Sequence, residues 1–144
     1  MPGISPPSRN LATSPSAARE ARSFLRGALR DSPADQVALA SRLTTEIVEM
    51  IVRHVIAPLG KTIRVTAADD DGGLRVTIRE RGPGLALGMA SDDPADVSVR
   101  RLLEATSSRW ATAESITGTY LWFELEESAT SRPKGSSTIP PGRG

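Results

Sequence analysis

The sequence predicts an α/β fold: a two-layer sandwich in which about three helices cover one face of a mixed, mostly antiparallel sheet. Three observations carry this. Two long segments near the start bear apolar residues at helical spacing. Two later segments alternate apolar and polar residues and are joined by a turn rich in aspartate and glycine. A further helix and a further hairpin then follow within one chain of 144 residues, which has room for a single core and no second catalytic domain.

Taken in order, Met1 to about Ala12 is rich in Pro, Ser and Gly and reads as a disordered tail, so the domain is expected over 13–127. Ser14-Pro15 supplies a cap and a first-turn proline. From there Ala17, Ala18, Ala21, Phe24, Leu25 and Leu29 form an apolar stripe on a helix to about Arg30. Ser32-Pro33 with Asp35 repeats the device and opens a second helix to about Ile56, ended by Pro58. Its stripe of Val37, Ala40, Leu43, Ile47, Met50 and Ile51 is expected to face a sheet.

Thr62 to Ala67 and Leu74 to Arg79 alternate at period two across the turn 69–73 and read as a hairpin. Gly82 to about Asp96 reads as a loop, Val97 to Ser107 as a short helix, and Trp110 to Ile116 and Tyr120 to Glu126 as two strands. Ser128 to Gly144 is again Pro, Ser and Gly and is expected to be a second disordered tail.

Composition narrows the chemistry. A formal net charge of +1 and few, scattered aromatics give neither a nucleic-acid stripe nor an acidic tail. The arginines of the first helix (Arg19, Arg22, Arg26, Arg30), with Glu20 between them, suit a solvated face better than a nucleic-acid contact; steep salt dependence of binding to random DNA would revive the latter. Without cysteine and with one histidine, thiolate zinc sites and histidine metal clusters are excluded. No signal peptide or membrane-length apolar run is present, which points to the cytoplasm and away from a membrane.

Two segments stand out chemically. In Glu46-Ile-Val-Glu-Met50-Ile-Val-Arg-His54, helical spacing aligns a carboxylate, a thioether and a basic tip along one edge. In Arg79-Glu80-Arg-Gly82-Pro-Gly84, glycines directly after a strand let the backbone approach a ligand closely or make a tight turn.

In that order and at that separation, the two segments resemble the Bergerat-type ATPases, the superfamily of gyrases, histidine kinases and anti-sigma-factor serine kinases, and most closely the last group. The resemblance extends to Ser14 through Leu25 as a first helix and to Gly118-Thr119-Tyr-Leu-Trp122-Phe-Glu-Leu as a final strand, about residues 10 to 127 in all. It places Glu46 on the family's general base, Met50 on its magnesium-binding asparagine, His54 on its histidine, Glu80 on its adenine-reading aspartate, Gly82 and Gly84 on its glycines, and Thr119 in its nucleotide-contacting strand. Two of these depart from the family pattern. Met50 offers a soft thioether where a hard cation needs oxygen, and Glu80 carries its carboxylate about 1.5 Å further than an aspartate. The glycine-rich phosphate lid is also replaced, by Ser98-Val99-Arg100-Arg101-Leu102-Leu103.

The residues also have plainer readings. Met50 fills a gap in the core, Glu46 pairs with Arg42 or Arg53, Glu80 is an exposed edge glutamate among arginines, and Arg100 and Arg101 face solvent or phosphate. The resemblance implies a regulator with no resident cofactor or metal, acting by binding a sigma factor or an anti-anti-sigma-type antagonist, with homodimerisation common in the group. The alternative is an active ATP- and magnesium-dependent serine kinase in which Glu49 or water replaces the lost ligand and Glu46 is the base. Restoring Met50→Asn with Glu80→Asp is then expected to improve nucleotide binding, provided the rest of the pocket is intact.

Overall fold

The computed structural model describes residues 5–55, 62–70 and 73–126. Among the described residues nine elements follow one another: β1 (Ser8–Leu11), α1 (Ala17–Ala28), α2 (Ala34–Arg53), β2 (Ile63–Asp70), β3 (Gly73–Glu80), α3 (Gly84–Ala90), α4 (Pro94–Thr106), β4 (Arg109–Ser115) and β5 (Gly118–Glu126). The strands form one sheet in the order β1-β2-β3-β5-β4, and every neighbouring pair is antiparallel rather than mixed.

Alternation decides which side of the sheet is core. Ile63, Val65, Ala67, Leu74, Val76, Ile78, Leu121, Phe123 and Leu125 are all buried and pack against Leu25 of α1, Leu43, Ile47 and Ile51 of α2, Leu85 of α3 and Val99 and Leu103 of α4. The expected stripe on α2 is therefore the core stripe, except that Val37 is only partly covered. The intervening strand residues face the side that the helices leave open.

Three expectations need correction. The segment expected as a tail up to Ala12 contains β1, whose Leu11 is fully buried and pairs with Ile63. Pro7 adds a backbone acceptor for the Ala67 amide at 3.0 Å. A polar four-residue run has little propensity of its own, and the open edge of β2 supplies the hydrogen bonds that order it. The loop expected from Gly82 to Asp96 holds α3 and the first turn of α4. That helix starts at Pro94 because Asp93 caps it, its carboxylate accepting the Ala95 amide at 3.0 Å. Lastly, α1 begins at Ala17, with Ser16 rather than Ser14 at the cap position. Pro58, Asp71, Gly72 and the segment 128–144, all used in the sequence reading, lie outside the described residues. Among the described residues, no helix is long and apolar enough to cross a membrane.

Candidate functional site

Glu80 is the last residue of β3 and falls on the core parity of that strand, so its carboxylate enters the interior and is 1 % exposed. It is not the exposed edge glutamate of the plainer reading. One oxygen accepts the Gly84 amide at 3.2 Å and the other accepts the Leu85 amide at 2.5 Å. These are two of the free N–H groups that open α3, so the side chain caps that helix. Burial pushes the Glu80 carboxyl above its ordinary value, against the opposing pull of the Leu85 and Gly84 amides and of His54.

The rest of α3 is pressed onto α2. At Gly84 an added Cβ would lie 2.7 Å from the Ile51 carbonyl oxygen, and at Gly88 it would lie 2.6 Å from both Cγ and Sδ of Met50. Met50 is fully buried with its thioether against the α3 backbone. The helix's far end is held by Arg100 of α4, which donates to the carbonyls of Gly88 and Met89 at 3.1 Å each and of Ser91 at 2.8 Å. Arg100, which is half-buried, thus spends its terminal nitrogens on the end of α3.

A third clamp joins α4 to the end of α2. Asp96, 1 % exposed, accepts from Arg53 at 2.8 Å and contacts His54 Nε2 at 2.7 Å. Burial works to raise its pKa, but the hydrogen bonds from Arg53, His54 and Ser91 outweigh that and bring it down to about 2. Arg53 thus pairs with Asp96 and not with Glu46. Glu46 is half-buried on α2 and forms no ion pair among the described residues.

Of the residues singled out from the sequence, Met50, His54, Glu80, Gly82 and Gly84 converge around α3. Thr119 lies opposite Glu80 across the β3–β5 ladder and borders a cleft of about 180 Å³ between α3 and the ends of β4 and β5, with Ala86, Met89, Ala90, Thr112 and Glu114. Glu46 stands apart. Asp96 and Gly88, which the sequence reading did not single out, complete the arrangement together with Arg100, which that reading gave to solvent or phosphate; the cap motif Asp93-Pro94 is a local signal for Asp96 and Arg100, since it starts the helix that places them.

Gly118 fixes where Thr119 sits. Its φ is +140°, and a Cβ there would meet the Glu80 carbonyl oxygen at 2.4 Å. Gly118→Ala is expected to lower stability by about 2 kcal/mol or more, through both the backbone strain and the lost close approach. Denaturant midpoints of the two proteins check this.

A buried carboxylate, a thioether and a packed helix occupy the space between α2 and the end of β3, and among the described residues no group of three or more His, Cys, Asp or Glu could hold a metal ion. No protein-family model and no curated protein matches the chain. Solved structures do. The chain is similar to the structure of the RsbU and RsbW domains of Rv1364c from Mycobacterium tuberculosis, with 26 % identity, a TM-score of 0.64, and coverage of 85 % of this chain and 32 % of that one. It is also similar to the blue-light activated histidine kinase of Erythrobacter litoralis EL346, with 18 % identity, a TM-score of 0.51, and coverage of 67 % of this chain and 32 % of that one. The histidine kinase domain of that protein gives 14 % identity and a TM-score of 0.51, over 77 % of this chain and 59 % of that one. The chain thus spans about a third of the length of the first two. Its two-layer sandwich, with Glu80 and Thr119 on adjacent strands below the second helix, is the Bergerat-type fold of histidine-kinase-like ATPases, in the form seen in RsbW-type domains.

Proposed function

We propose that this protein is a regulator of the anti-sigma-factor kinase type that acts by binding a protein partner and does not turn over ATP. The observation that carries the reading is the seating of α3 on α2. Met50, in the place of the family's magnesium-binding asparagine, packs on Gly88, and Glu80, in the place of the adenine-reading aspartate, spends both oxygens on the amides of Gly84 and Leu85. Each departure from the family pattern therefore has a packing or capping task in the closed arrangement. The buried Asp96, paired with Arg53 and in contact with His54, ties α4 to the end of α2 beside that seat. The partner, by resemblance, is a sigma factor or an anti-anti-sigma-type antagonist; a homodimer and a cytoplasmic location belong to the same proposal.

The kinase alternative gains no support from Glu49. That residue lines a different cleft of about 270 Å³, with Ser14, Pro15, Ala18, Val52 and Arg53, on the α1 side of α2. Calorimetric titration with ATP and ADP, each with and without magnesium, tests the proposal. The expected result is no heat of binding and an unchanged melting temperature. Micromolar, magnesium-dependent binding would overturn it.

A further inference from the structure

The face of the sheet opposite the helices carries an arrangement that the closed nucleotide site does not use. By register, Arg64 of β2, Arg79 of β3 and Tyr120 of β5 form one row across three adjacent strands. Arg64 and Arg79 are directly opposed, a juxtaposition of like charges that works against the sheet. Among the described residues, neither pairs with a carboxylate. Arg64 donates instead to the neutral side chains of Asn10 at 3.0 Å and Ser8 at 2.6 Å. Arg79 lies directly opposite Tyr120 on β5, and its Nε is buried without a hydrogen-bond partner.

The neighbouring row, Thr66, Thr77, Trp122 and Ala111, is flat and small apart from the indole. In the third row the charges are settled: Glu124 pairs with Arg75 at 3.3 Å and with Arg109 at 2.7 Å. The Arg75 guanidinium stacks 4.1 Å from the Trp122 ring centroid.

We propose that this open face is a docking surface for an acidic segment of a protein partner, whose carboxylates seat on the Arg64–Arg79–Tyr120 row. Charge complementarity selects the occupant. Two adjacent arginines without a carboxylate partner, beside a phenol, present donors and positive charge that match carboxylates. A single-stranded nucleic acid needs free aromatic faces and a continuous basic track; here the Trp122 ring is covered by Arg75, and Glu124 interrupts the positive charge. The uncompensated pair also has the form of a site kept for function at a cost in stability. The inference rests on the reading that this protein works by binding proteins. It is separable from that reading, because the nucleotide titration tests the closed site while the experiment below tests only the sheet face.

The test is titration of the isotopically labelled full chain with a hexaglutamate peptide at low salt, followed by amide chemical shifts. Shifts at Arg64, Arg79 and Tyr120, weakening by roughly fivefold in Arg79→Thr and loss of binding at high salt, are the expected results. Arg79→Thr should also melt no lower than the parent protein, because it removes a like-charge contact. Shifts confined to other surfaces, unchanged affinity in Arg79→Thr, or a lower melting temperature that marks Arg79 as structural would each overturn the proposal. So would equally tight binding of oligodeoxythymidylate on the same row, or a dimer of this chain that buries it.

Discussion

Met50→Asn is expected to lower stability by about 3–4 kcal/mol and to leave ATP binding undetectable, although asparagine is the residue the family carries there. Met50 is fully buried, with its Cγ and sulfur against the backbone of Gly88. The shorter amide would leave part of that volume empty and bring polar atoms into an apolar contact, two costs that add. Adding Glu80→Asp should worsen matters, because the shorter side chain withdraws the carboxylate from the Gly84 and Leu85 amides and uncaps α3. The sequence alone led to the expectation that the paired change improves nucleotide binding if the pocket is otherwise intact; the closed reading of α3 predicts the reverse. Thermal melts together with calorimetry decide the matter. Micromolar binding of magnesium-ATP by the double variant would show that the pocket opens readily and that the closed reading fails.

Asp96→Ala is expected to cost about 2–3 kcal/mol and to lower the melting temperature by roughly 10 °C. The lost carboxylate joins α4 to both Arg53 and His54. Removing one partner of a buried pair is costly, here moderated because the Arg53 side chain is 42 % exposed and can turn to water. The same group predicts a pH dependence. Asp96 titrates near 3.8 when unfolded and at about 2 in the folded protein. Its contribution, about 2 kcal/mol, is therefore fully present above pH 3.8 and lost as the pH falls toward 2. Glu80 has the opposite sign: its folded pKa is raised, so what it contributes is present below its ordinary value and fades as the pH climbs through the raised one. Denaturant unfolding between pH 2 and 4 should show a falling limb in the parent protein that is absent in Asp96→Ala. A limb of equal depth in both proteins would assign the acid sensitivity elsewhere.

Much of this architecture could be read before the structure was known. The apolar stripe of α2 gave its buried face down to Met50 and Ile51, because a repeat near 3.6 residues puts those side chains on one side regardless of what covers them. The first hairpin followed from period-two alternation, and the same parity decides which residues of β3 and β5 reach the core. The same parity sends Glu80 inward, a consequence available from the alternation Leu74, Val76, Ile78, Glu80 that was set aside in the plainer reading as an exposed edge glutamate.

The missed elements share one property: nothing local stabilises them enough. In α3 the run Gly-Leu-Ala-Leu-Gly-Met-Ala has two glycines in seven residues and no side chain of its own to cap it, and glycine costs up to about 1 kcal/mol per helical position. It is helical because Glu80, four residues before it, supplies the N-terminal acceptors, Arg100, ten residues after it, supplies the C-terminal donors, and Met50 on another helix fits against Gly88. The strand β1 exists because β2 offers an unpaired edge, and Asp96 is an interior ion-pair partner because two helices meet there. The sequence by itself determined the layers, the register parity and the departures at Met50 and Glu80, since these follow from periodicity and residue identity along one chain. Only the tertiary structure decided that those departures converge on one short helix and fill the space beneath it, because the free energy that holds α3 in place comes from residues far apart in sequence, none of which signals its partner.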